Sequence, residues 1–101
     1  MCGIVGFIDF TKKSSESNLR EMIDSIPHRG PDDQGIKLIL EQSSIIGLAH
    51  ARLSIIDLSN GGHQPMQYKH LTIVFNGEIY NYLEIKKELE ILGHIFITAS
   101  D

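Results

Sequence analysis

The chain has 101 residues, enough for one domain with a modest core. Apolar residues make up 42% and charged residues 22%, the balance of a soluble globular protein. With 9 Lys and Arg against 13 Asp and Glu, the net charge of -4 argues against nucleic acid or an anionic membrane surface as a partner.

Cys2 to Phe10 reads as a buried strand, apolar and β-branched or aromatic, with Gly3 and Gly6 inside it. Glycines within a strand mark close approach of a backbone or ligand. Thr11 to Asn18 is a polar connection. Leu19, Met22, Ile23 and Ile26 recur at helical spacing, with Asn18 as the expected N-cap, Glu21 as its reciprocal partner and Pro27 as the stop. His28 to Gly35, HRGPDDQG, is a loop. Gly35 to Leu40 and Ser44 to Ala49 read as two strands joined by a polar turn at Glu41 to Ser43. Leu53 to Leu58 is a short apolar run, Ser59 to Gly62 a turn, and His63 to His70 irregular. Leu71 to Phe75 is a strand ended by Asn76-Gly77. Tyr82, Ile85, Leu89 and Leu92 share one helix face, read as core packing, with Gly93 at C′. Ile95 to Thr98 is a last strand.

Short connections between strands predict an α+β fold, a mostly antiparallel sheet with flanking helices. No apolar segment reaches transmembrane length. The start has no basic residues, and Asp9 cuts its apolar run short, which does not suit a signal peptide. A single cysteine fits a reducing compartment, so a cytoplasmic location is expected.

Cys2 is the sharpest chemical feature. Removal of Met1 would place its thiol beside its own α-amine, a base near neutral pH with a reference pKa of about 8. One residue would then supply both nucleophile and base. An ordinary small buried cysteine is the competing reading. Asn76 and Gly77 offer a side-chain amide and a backbone N–H, the two donor types of an oxyanion hole, or simply a tight turn. Arg52, amid apolar neighbours, calls for an anion: a substrate carboxylate or an internal salt bridge. Glu78 and Asp101 could hold an ammonium or remain solvated. The five histidines show no metal-ligand spacing, and no metal site is expected. His50, between Ala49 and Ala51, reads as a hydrogen-bonded core histidine. Neither a Walker-type loop nor a Ser-Gly-Gly-x-Asp-Ser loop occurs, so no ATP site is visible.

MCGIVG, HRGPDDQG at 28 to 35, ARLSIIDLS at 51 to 59, GHQPM at 62 to 66, FNGEIYNY at 75 to 82 and the closing GHIFITASD appear in order. This set resembles the class II glutamine amidotransferase domain of glutamine-hydrolysing asparagine synthetases. The resemblance implies the four-layer αββα fold of N-terminal nucleophile hydrolases, incomplete at its C-terminus here. It implies that Cys2 attacks the glutamine amide through a thioester, with Asn76 and Gly77 as the oxyanion hole. Arg52 and the backbone of Leu53, Ser54, Ile55 and Ile56 would hold the glutamine α-carboxylate, and Glu78 and Asp101 its α-ammonium. Ammonia would pass to a synthetase domain, absent from these 101 residues, which uses ATP and Mg to amidate aspartate. A homodimer is compatible with the full-length family. Related glucosamine-phosphate enzymes carry Thr-Arg-Trp-Ala-Thr-like text where this chain has Ala51-Arg52-Leu53-Ser54-Ile55. Homologues in polysaccharide and antibiotic pathways use other acceptors, and a truncated non-catalytic remnant or binding fragment is the reading from a different class.

Overall fold

The computed structural model describes residues 2–53, 60–99 and 101. Its main sheet has three strands, β1 (Gly3–Asp9), β2 (Asp33–Leu40) and β3 (Ile45–Arg52), in the order β1-β3-β2. Both pairings are antiparallel, with Gly3 opposite Ala51 and Gly35 opposite His50. The β2–β3 turn closes through the Glu41 N–H, which donates to the Ser44 carbonyl at 2.9 Å. A smaller antiparallel pair joins β4 (Met66–Tyr68) to β5 (Leu71–Ile73). The expected α+β class with antiparallel strands and helices is observed.

The helix α1 (Glu16–Asp24) covers one face of the main sheet. Leu19 and Ile23, four apart, are fully buried there with Ala49 and Ala51, and Val5, Phe7, Ile26 and Ile36 pack around them. Fully burying each of the two large side chains contributes about 1.5–3 kcal/mol. The small Ala49 and Ala51 let the helix approach the central strand closely.

The helix begins earlier than the periodicity suggested. Ser15, in an extended conformation, is the N-cap, and Asn18 is the third helical residue. The Asn18 Oδ1 accepts the Ser15 N–H at 2.8 Å, the back half of a capping box. Asn18 therefore plays the reciprocal role that had been assigned to Glu21. Pro27 opens a 3₁₀ turn over Pro27–Arg29 rather than simply ending the chain's helical path.

Asp9, at the end of β1, organises the turn into α1. Its carboxylate accepts N–H groups from Thr11, Lys13 and Ser14. Hydrogen bonds from Ser14 and then Thr11 hold this carboxyl well below the usual carboxylate range.

Three other expectations need correction. Met66–Tyr68, read as irregular, forms β4, because β5 supplies a pairing partner that its own weak alternation does not advertise. Ile95 to Thr98 is not a strand; Ile95 and Ile97 are each 86% exposed, and no described strand pairs with the segment. Helix α2 (Tyr82–Ile91) forms, but no residue of it is buried, so its apolar face is not core packing in this structure. The helix ends in a Schellman motif: Gly93, at φ 97°, donates to the Glu90 carbonyl, and His94 donates to the Leu89 carbonyl. The apolar run assigned to Leu53 to Leu58 lies outside the described residues beyond Leu53.

Candidate active site

Strand alternation assigns the two faces of the main sheet different work. Val5, Phe7, Ala49, Ala51 and Ile36 face α1. Ile4 and Ile8 on β1, His50 and Arg52 on β3, and Asp33 and Gly35 on β2 belong to the opposite face. Cys2, one residue before β1, continues that second alternation. Of the candidate residues, Cys2 and Arg52 are therefore placed at one end of one face, with His50 on the same face.

Cys2 is half-buried, and its sulfur sits against the backbone of Leu53. The Leu53 N–H donates to Sγ at 3.2 Å, and Sγ lies 3.6 Å from the Leu53 carbonyl oxygen. The thiol is thus fixed to the residue that follows Arg52.

Arg52 is buried to 7% exposure. Its guanidinium lies against Gly62, where an added Cβ would stand 2.3 Å from the Arg52 nitrogen Nη2. Gly62, in the 3₁₀ turn Asn60–Gly62, therefore supplies the flat floor for the planar group. The backbone of Arg52 anchors the loop before β2, since the Asp32 N–H donates to its carbonyl at 3.0 Å.

His50 is the most deeply buried polar side chain of this face, at 1% exposure. Its Nε2 lies 3.2 Å from the Phe75 carbonyl oxygen, which fixes the proton on Nε2. Nδ1 is buried without a hydrogen-bond partner. Burial, above all, pushes the imidazole below its ordinary pKa and keeps it neutral. The expected hydrogen-bonded core histidine is what the structure holds.

Phe75 brings the Asn76-Gly77 pair to the sheet. It is held a second time, because its N–H donates to Gln64 Oε1 at 2.6 Å. Gln64 can lie there because Gly35 has no side chain; a Cβ at position 35 would fall 1.9 Å from the Gln64 carbonyl oxygen. The adjacent His63 pairs with Asp33 at 2.5 Å. Gln64 lies in the GHQPM stretch, but nothing in the sequence pointed to its role as acceptor for Phe75. A clue existed in Phe75, whose N–H at a strand end needs an acceptor.

Asn76 is half-buried, and Gly77 and Glu78 are exposed. Asp101 Oδ2 accepts the Ile79 N–H at 2.6 Å, which brings that carboxylate to the residue following Glu78. The structure thus groups Cys2 with Arg52 and Leu53, and Asp101 with the 76–79 segment. It ties the two groups through His50 and Phe75. The sulfur's hydrogen bonds go to Leu53 and not to Asn76 or Gly77. Ser54, Ile55 and Ile56 lie outside the described residues. Among the described residues no cluster of His, Cys, Asp and Glu could hold a metal ion. No described helix is long and apolar enough to cross a membrane.

Residues 1–101 match the model of the glutamine amidotransferase domain. The chain is 43% identical over 107 residues to asparagine synthetase (glutamine-hydrolyzing) 1 of Bacillus subtilis, covering 100% of this chain and 16% of that protein. Against asparagine synthetase (glutamine-hydrolyzing) 3 of the same organism it is 40% identical over 107 residues, covering 100% and 17%. The asparagine synthetase (glutamine-hydrolyzing) of Sandersonia aurantiaca is 40% identical over 105 residues, covering 100% and 19%. The chain spans less than a fifth of the length of each of these relatives. No solved structure matches it. A match across all 101 residues places the chain in the glutamine amidotransferase domain family.

Proposed function

We propose that this chain is the glutamine-hydrolysing part of an amidotransferase of asparagine synthetase type. The observation that carries the reading is the Cys2 thiol held against the backbone of Leu53, the residue that follows the buried Arg52, in a chain that matches the glutamine amidotransferase domain throughout.

Once Met1 is removed, the α-amine of Cys2 takes the thiol proton. The thiolate attacks the side-chain amide carbon of glutamine, and the carbonyl oxygen becomes an oxyanion held by Asn76 and the Gly77 N–H. Collapse of this intermediate expels ammonia, protonated by the Cys2 ammonium, and leaves a glutamyl thioester. Water, deprotonated by the α-amine, hydrolyses the thioester to glutamate and restores the thiol. Arg52, with the backbone from Leu53 to Ile56, takes the substrate α-carboxylate, for which a planar fork on a flat glycine floor is suited. Glu78 and Asp101 take the α-ammonium.

The relatives' names, glutamine-hydrolysing asparagine synthetases, support a synthetase partner that receives the ammonia; ATP, Mg and the aspartate acceptor would belong to that partner. No residue of this chain is assigned to ATP or Mg. The exposed Ile4 and Ile8, on the face away from α1, support a second sheet layered there, as in the four-layer sandwich.

The test is Cys2→Ala in the full-length natural protein. Glutamate release from glutamine should disappear, while amidation fed by free ammonia continues. Undiminished glutamate release in that variant would end the proposal.

A further inference from the structure

We propose that His50 and Gln64 are positioning residues that grip the Phe75 peptide from both sides and set where Asn76 and Gly77 stand relative to Cys2. The inference rests on the reading of Cys2 as nucleophile and of Asn76 and Gly77 as oxyanion donors.

Phe75 lies two residues beyond β5, so neither of its backbone polar groups has a ladder partner in that pair. Both are met by side chains instead: Gln64 Oε1 takes the N–H at 2.6 Å, and His50 Nε2 meets the carbonyl at 3.2 Å. The next two residues are Asn76 and Gly77. Fixing the 75 peptide therefore fixes the origin of both oxyanion donors.

The two gripping residues share one support. Gly35 and His50 are cross-strand partners on β2 and β3, and the backbone of Gln64 sits directly on Gly35. β3 is also the reference for the nucleophile, since β1 pairs along its whole length with β3 and Leu53, just past its end, holds the Cys2 sulfur. Nucleophile and oxyanion donors are thus referenced to the same strand.

Position 50 is an expensive choice for mere packing. Nδ1 is buried without a partner, and an apolar side chain of similar size would avoid that cost. The imidazole is retained with one useful donor and one orphaned acceptor. A requirement to hold the Phe75 carbonyl accounts for this.

The experiment uses the full-length natural protein with His50→Leu, His50→Gln, Gln64→Leu and Gln64→Glu, beside Cys2→Ala and Asn76→Ala. Glutamine kcat and KM are measured, with affinity for glutamate γ-semialdehyde, whose adduct with the Cys2 thiol carries the oxyanion. The rate of Cys2 alkylation by iodoacetamide is followed by peptide mass. His50→Leu and Gln64→Leu should lower kcat about tenfold to a hundredfold with KM within about twofold, the scale of a donor misplaced by an ångström. Semialdehyde affinity should fall by the same factor, and alkylation should not change. His50→Gln keeps a side-chain N–H donor and Gln64→Glu keeps an acceptor, so each should restore most of the loss. The clamp is overturned if kcat is unchanged, if the loss lies in KM alone, or if Gln and Leu at position 50 behave alike. If His50→Leu does not fold, the Gln64 pair decides by the same criteria. Full activity in Cys2→Ala or Asn76→Ala would overturn the underlying reading itself. Loss in those two with normal kcat in the clamp variants would overturn the clamp alone.

Discussion

Gly35 stands opposite His50 across the β2–β3 pair, and the carbonyl oxygen of Gln64 occupies the space that a side chain at position 35 would need. The smallest residue on one strand thus makes room for the segment that reaches the same peptide as the buried imidazole on the other.

Gly35→Ala should therefore be disruptive despite the ordinary strand geometry at that position. The new methyl would meet backbone at 1.9 Å and His63 Nε2 at 2.8 Å, and the backbone cannot rotate away as a side-chain tip would. Overpacking of this kind costs about 1–3 kcal/mol. The urea midpoint should fall accordingly at an unchanged slope. A midpoint equal to that of the parent would show that Gln64 is not seated on Gly35.

His50 should make stability sensitive to mild acid. Its folded pKa lies below the ordinary value of 6.5, chiefly through burial. The Phe75 carbonyl and Asp33 oppose the shift, and Arg52 and His63 add to it. Below pH 6.5 the unfolded chain binds a proton that the folded chain refuses. Stability should thus decline as the pH drops from about 6.5 towards the folded pKa, and this contribution should level off below it. One such group can add at most about 1.4 kcal/mol per pH unit to the slope. Urea midpoints from pH 7.5 to 5 should be flatter for His50→Gln than for the parent. Parallel profiles would assign the acid sensitivity to another group.

Arg52→Lys should separate binding from chemistry. A lysine ammonium cannot reproduce the planar two-point grip on a carboxylate, and it would leave the flat surface over Gly62 unfilled. Hydrogen bonds to charged groups are worth about 1.5–3 kcal/mol, so KM for glutamine should rise about tenfold to a hundredfold with kcat little changed. An unchanged KM would remove Arg52 from the carboxylate site.

Much of the main sheet could be read directly from the chain. The apolar, β-branched and aromatic run Cys2–Phe10 and the two runs on either side of Glu41–Ser43 were enough to locate the strands and the turn, though not the exposure of Ile4 and Ile8. Helix α1 was legible from Leu19 and Ile23, but its start was not, because Ser15 and Asn18 divide the capping roles between them. β4 escaped because three residues with Gln67 and Tyr68 exposed show no alternation; only pairing with β5 defines it. Ile95 to Thr98 failed in the other direction, since β-branched residues favour an extended chain but cannot supply a neighbouring strand. In the candidate site, Cys2, His50 and Arg52 announced themselves by type and surroundings. Gln64 could not, because an amide in a turn is ordinary until its distant acceptor role is seen.

Helix α2 ends for reasons contained within its own last turn: a left-handed Gly93 and two carbonyls closed by the N–H groups of Gly93 and His94. None of its residues is buried, yet its C-terminus is already defined. Its C-terminal end is therefore set locally. A surface packed against the Tyr82, Ile85, Leu89 and Leu92 face would meet a helix whose last turn is already closed, so its far end is set without that contact.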